Sequence, residues 1–149
     1  PLMVDRVDIV VADLPVGYYP DDVTAAEYGV KADDEKTYAH HLIIEQSVRH
    51  LKAGGRGLFL VPNSIFESKQ SGLLRDFLKK ECYIQGLIAL PSSLFKTEQS
   101  AKSVLMIRKK KEGISAPKQA LLVQLPKLSD GAAMQSILSQ MDEWFRTEG

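Results

Sequence analysis

A single cysteine in 149 residues excludes an internal disulfide, and Cys82 has no companion thiol for a thiolate metal site. Its expected place is a small apolar position in the core, where free cysteines usually sit. Net charge is also missing, because nineteen basic residues cancel nineteen acidic ones. Proteins that hold nucleic acid unaided generally carry a basic surplus, since phosphate contacts supply much of their affinity. If this chain acts on a nucleic acid, most of the electrostatic grip must come from outside it. No apolar run approaches the ~20 residues needed to cross a bilayer, and no signal-peptide pattern opens the chain. A cytoplasmic protein without membrane contact is expected. Internal repeats and low-complexity stretches are absent as well. The opening Pro1-Leu2-Met3 runs almost directly into an apolar strand, which suits an excised piece of a longer polypeptide.

What is present is a regular alternation of apolar patterns. Val7 to Ala12 is short, β-branched and nearly continuously apolar, as in a strand buried on both faces of a parallel sheet. Pro15 and Gly17 stop it. Tyr18 to Lys36 is polar and acidic and predicts a long exposed loop, a length usually tied to function or mobility. A helix is predicted over 37–52, capped by Thr37, with Leu42, Ile44, Val48 and Leu51 mainly on one face. Gly54-Gly55 are expected to end it as a helix C-cap. Gly57 to Pro62 predicts a second strand, Gln70 to Glu81 a helix burying Leu73, Leu74, Phe77 and Leu78, and Ile84 to Leu90 a third strand. Ser103 to Arg108 predicts a fourth. No helix separates the last two, so they are expected to run antiparallel. The order implies an α/β fold, a mostly parallel sheet with helices on both faces.

Two parts are expected. Residues 1–111 form the α/β unit. Residues 112–149 add a linker, a strand near Ala120 to Leu125, and an amphipathic helix packed on that unit. Ser129-Asp130 cap this helix, and its stripe is Met134, Ile137, Leu138, Met141, Trp144 and Phe145.

In such sheets ligands bind beyond the carboxyl ends of the strands. The heptad Asp13-Leu14-Pro15-Val16-Gly17-Tyr18-Tyr19 falls there, at the end of the first strand. Taken alone, a strand-ending turn rich in Asp, Pro and Gly accounts for it. A Gly-rich turn after a strand, which an adenosine cofactor normally needs, is not found. Gly54-Gly55-Arg56-Gly57 follows a helix and precedes a strand, the wrong way round.

Other polar residues carry weaker signals. His40 and His41 are adjacent, so they do not share a helix face, and no ligand set completes a metal site; His41 falls on the apolar stripe and is expected to be packed. Asn63, at the end of the second strand, is a candidate substrate contact. Arg108 to Lys111 is expected to be a solvated strand end.

The heptad resembles the Asn/Asp/Ser-Pro-Pro-aromatic motif of amino-methyltransferases, in the form Asp-Leu-Pro-Val-Gly-Tyr-Tyr. A wider stretch, about residues 5–110, is similar to the adenine-specific DNA methylases related to modification subunits of type I restriction–modification systems. It includes His40-His41-Leu42 to Gly55, Phe59 to Asn63, Leu74-Arg75 to Lys80, Ile84 to Pro91 with Phe95, and Ala101-Lys102-Ser103-Val104-Leu105. Variants close to this heptad occur in a stand-alone branch in Gram-positive bacteria, which the chain resembles most.

The resemblance implies a partial Rossmann-like class I methyltransferase fold without its N-terminal cofactor-binding strands. The implied cofactor is S-adenosylmethionine, held mainly outside this chain with Asp13 lining its site; no metal is implied. The implied reaction is methylation of the exocyclic amino group of adenine in DNA by a longer protein, the fragment alone being inactive. In that scheme Asp13 and the backbone carbonyl of Leu14 accept the amino hydrogens, and Pro15 stiffens the turn. Val16, Gly17, Tyr18, Tyr19 and Asn63 would contact a flipped base.

Val16 departs from the motif, which has an aromatic there. Valine cannot stack on a base, so Tyr18 or Tyr19 would have to replace it. Methylation of RNA or of a protein glutamine, or a non-catalytic interaction module on the same fold, are the alternatives. A sheet whose first strand is uncovered is expected to pair with a second copy, as a dimer or strand swap.

Overall fold

Alternation with a period of two organises the sheet. Along the strand β2 (Leu51–Pro62), Phe59 and Val61 point to one face and are fully buried, while Leu58 and Leu60 point to the other. The neighbouring β4 (Lys102–Lys109) answers in kind, with Leu105 and Ile107 on the first face and Met106 on the second. The structure is a computed structural model and describes residues 5–14, 39–67 and 71–148. The expected acidic loop and Thr37 lie outside the described residues.

Five strands form one sheet in the order β1-β2-β4-β3-β5, where β1 is Val7–Asp13, β3 is Cys82–Ala89 and β5 is Leu121–Gln124. β1 runs parallel to β2 and β3 parallel to β5, whereas β4 is antiparallel to both β2 and β3. Four strands therefore share one direction and β4 alone is reversed. The expected antiparallel pairing of β3 with β4 is present. The strand does not extend the sheet outward, however, but inserts between β2 and β3.

Helices cover both faces. α1 (Ala39–Arg49) and α2 (Ser71–Glu81) pack Leu42, Ile44, Val48, Leu74 and Leu78 onto Phe59, Val61, Leu105 and Ile107. α3 (Gly131–Glu148) lies on the opposite face, setting Met141 and Trp144 against Ile88, Met106 and Leu121. Asp130 caps it, its Oδ1 accepting from the Ala133 amide at 3.1 Å. The Trp144 indole donates to the Gln119 carbonyl at 2.7 Å. His41 is fully buried in α1. Cys82 is buried at the start of β3, and desolvation, reinforced by Glu81, pushes its thiol up to about 12, so it stays protonated and unreactive.

Three expectations need correction. β1 is not buried on both faces: Val10 and Ala12 pack on the first core, but Ile9 and Val11 on the other face are 60% and 72% exposed. Among the described residues only β2 pairs with β1, and α3 sits over the far half of the sheet. Next, Gly54-Gly55 do not cap the first helix. That helix ends at Arg49, β2 begins at Leu51, and the glycines lie within the strand where its register with β1 shifts, Val7 facing Leu51 and Ile9 facing Arg56. Gly54 adopts a φ of 79°, which only glycine takes without strain.

The basic run is corrected in part: Lys110 and Lys111 are exposed as expected, whereas Arg108 and Lys109 are half-buried. Lys109 Nζ donates to the carbonyls of Val48 and Leu51 at 2.9 and 3.0 Å, Arg108 Nε to Gly54 at 3.2 Å, and Lys110 Nζ to Lys79. The Val48 and Lys79 carbonyls lie in the last turns of α1 and α2, where intrahelical partners run out, and those of Leu51 and Gly54 lie in β2. Burial and the nearby Arg6 charge hold the Lys109 ammonium below its ordinary pKa, yet its two carbonyl partners keep it in place. Lys109→Met should therefore destabilise the chain by about 1–3 kcal/mol, read as a lower urea midpoint at unchanged slope. A wild-type midpoint would show that water replaces the ammonium at no cost.

Candidate functional site

The carboxyl ends of parallel strands leave backbone and side-chain polar groups facing a common rim, and here three strands bring such groups together. β1 ends at Asp13, which faces Leu60 of β2, and the Leu14 amide donates to the Leu60 carbonyl at 3.2 Å. β2 ends two residues further on at Pro62, which faces Lys102 of β4. Because β4 is reversed, its first residues lie on the rim where β1 and β2 end. The Asn63 amide donates to the Ala101 carbonyl at 3.1 Å, closing the corner.

Side chains then cross the rim. Lys102 Nζ donates to Asp13 Oδ1 at 3.1 Å, an ion pair that spans β2. The Ser103 hydroxyl donates to Asn63 Oδ1 at 2.6 Å. The Asp13 side chain is 71% exposed and that of Lys102 only 24%. Leu14 is the opposite of Asp13. It is 1% exposed and anchors the end of β1 in the first core.

The structure thus puts Asp13, Leu14 and Asn63 on one rim, as the strand order requires. Pro15, Val16, Gly17, Tyr18 and Tyr19 lie outside the described residues. Lys102 and Ser103 escaped sequence reasoning as site residues, although both fall in a stretch that resembles the methylases. The signal that finds them is strand direction. A reversed strand presents its first residues, not its last, at the rim where its parallel neighbours end.

Chemically the rim offers a carboxylate with one oxygen held by an ammonium. Its other oxygen makes no hydrogen bond among the described residues. That arrangement suits an acceptor for N–H donors arriving from solvent. No group of three or more His, Cys, Asp or Glu placed to hold a metal ion occurs among the described residues. No helix among them is long and apolar enough to cross a membrane.

A mixed sheet with helices on both faces and a polar rim at the ends of β1 and β2 is the arrangement of a class I methyltransferase. The crystal structure of a Listeria monocytogenes protein assigned as a class I S-adenosylmethionine-dependent methyltransferase superposes with a TM-score of 0.90 at 40% identity, covering 97% of this chain and 45% of that one. The description N-6 DNA Methylase belongs to the family model that matches residues 3–143, and the chain is a member of that family.

An uncharacterized Bacillus subtilis protein, YtxK, is 50% identical over 148 residues, which is 99% of this chain and 45% of that protein. A modification subunit of an enzyme assigned as a type I restriction enzyme in Vibrio vulnificus shares the fold, with a TM-score of 0.65 at 17% identity over 93% of this chain and 32% of that one. The chain therefore spans less than half the length of the relatives it matches.

Proposed function

We propose that this chain supplies the acceptor side of an S-adenosylmethionine-dependent methyltransferase that modifies the exocyclic amino group of adenine in DNA, and that it is inactive without the remainder of a full-length polypeptide. The observation that carries the reading is the place of Asp13 and Leu14 at the carboxyl end of β1, on the rim that also holds Asn63. Membership of the N-6 DNA Methylase family supports it.

An aromatic amine is a poor nucleophile because its lone pair is delocalised into the ring. Acceptors that take both of its hydrogens favour a pyramidal nitrogen, with the lone pair turned out of the ring plane. The Asp13 carboxylate has acceptor capacity to spare after Lys102 is satisfied, and the Leu14 carbonyl is assigned the second hydrogen. Asn63 is assigned a contact to the base. Pro15, Val16, Gly17, Tyr18 and Tyr19 are assigned the turn and the base pocket. S-adenosylmethionine, when bound, supplies an electrophilic methyl on a sulfonium.

The described residues do not fit the adenosyl moiety. The one glycine cluster is packed inside β2, where a Cβ on Gly57 would meet the Phe59 ring at 2.7 Å and Ile107 at 2.9 Å. A backbone so crowded cannot cradle a ligand. The adenosyl-binding part is assigned to the portion of the relatives' length that this chain does not span.

The test is methyl transfer from labelled S-adenosylmethionine by the full-length protein to DNA, RNA and protein acceptors side by side, with the product base identified. N6-methyladenine in DNA is expected. Label in glutamine or in RNA would move the substrate, and no label in any acceptor would overturn the enzymatic reading. Val16 favours one second reading, a descendant that binds through this fold without transferring a methyl group, because valine presents no aromatic face to a base.

A further inference from the structure

The rim contains a cation that the acceptor role of Asp13 does not by itself explain. Lys102 starts β4, where it faces Pro62 across the ladder and its carbonyl accepts from the Leu90 amide at 3.3 Å. The adjacent Ser103 is tied to Asn63 at 2.6 Å. From this fixed base the side chain reaches over β2 to Asp13, 89 residues away in sequence.

Such a pair does little for stability. Ion pairs with an exposed partner contribute little, since water competes for both charges, and the Asp13 side chain is 71% exposed. Geometry is where the contact matters. The ammonium takes Oδ1, which restricts carboxylate rotation, and Oδ2 has no hydrogen-bond partner among the described residues. The sheltered member of the pair is the cation, and the exposed member is the acceptor, the order needed if the acceptor is to meet an incoming group.

We infer that Lys102 is a positioning residue for methyl transfer: it clamps one oxygen of Asp13 so that the other is aimed at one hydrogen of the acceptor amine. This deepens the function proposed above and rests on it. Lys102 does not touch the reacting atoms. It orients the group that does, and it neutralises a carboxylate that would otherwise face the phosphate-rich substrate uncompensated.

Full-length protein with Lys102→Met, Lys102→Arg, and Lys102→Met combined with Asp13→Asn provides the test. Lys102→Met is expected to lower kcat by about 10- to 100-fold, the scale of a small misplacement of a catalytic group, with KM for the acceptor changed less than ~3-fold and an unaltered thermal midpoint. Lys102→Arg should recover most of the rate. Adding Asp13→Asn to Lys102→Met should also recover part of it, because an amide oxygen accepts a hydrogen bond without needing a counter-charge.

An unchanged kcat in Lys102→Met, with the parent active, overturns the inference and leaves the proposed function standing. Equal losses in Lys102→Met and Lys102→Arg, with no relief from Asp13→Asn, reduce the residue to a structural part and overturn it too. A parent protein inactive on every acceptor defeats the functional reading, and the inference with it.

Discussion

Replacing Asp13 with alanine should lower methyl transfer by the full-length protein by at least ~100-fold while leaving the fold intact, the usual consequence of removing a group aimed at charge that develops in the transition state. Asp13 projects from the end of β1, and its side chain's only hydrogen bond or ion pair among the described residues is the one with Lys102. Its loss therefore takes nothing from either core. Single-turnover rates on an adenine-containing duplex, together with a urea midpoint, separate the two effects. A rate within a few-fold of the parent would remove Asp13 from the reaction. A large drop in the midpoint would mean that the residue holds the rim together rather than serving it.

Gly86→Ala is expected to have the largest effect on the fold. A Cβ at Gly86 would lie 2.5 Å from the Leu121 carbonyl oxygen and 2.9 Å from the Leu121 Cβ. The first of these atoms is backbone in the neighbouring strand and cannot swing away as the end of a side chain can. Either β3 shifts within a sheet where β4 holds it, or β5 leaves. The cost should reach the upper part of the roughly 1–3 kcal/mol typical of overpacking. Because α3 reaches the sheet through Met141 and Trp144, beside Leu121, the loss should spread to that helix. Hydrogen exchange ought to show lost protection in β5 and α3 with β2 and β4 unaffected. Uniform protection would mean that the sheet absorbs a methyl group here without parting.

Much of this architecture was legible in the residues. Leu74 and Leu78 recur at helical spacing, and both are fully buried in α2. Asp130 was readable as a cap because a short acidic side chain before an apolar stripe has an amide to receive it. Cys82 was readable as core because nothing in the chain could pair with it. The position of Asp13 at a strand end followed from Pro15 and Gly17 behind it.

What misled was local chemistry that two structures share. A Gly-Gly pair after a helical pattern suits a C-cap, and it equally suits a strand that must gain residues between two ladder pairs. Which applies depends on where β1 places Val7 and Ile9, 45 or more residues upstream. The basic run at the end of β4 likewise resembles a solvated tail until the helix ends it meets are known. Lys109 has carbonyl partners only because α1 stops beside it.

The division has a physical basis. Periodicity, caps and turn residues act within a few positions, so the chain alone determined its strands, its helices, the α/β class and an acidic residue at the end of the first strand. Pairing between distant strands is a property of the whole sheet. The insertion of β4 between β2 and β3 was decided there, and with it the meeting of Lys102 with Asp13 and of Ser103 with Asn63. No local pattern encodes a neighbour 89 residues away, because the burial of two faces at once selects among topologies that are locally indistinguishable.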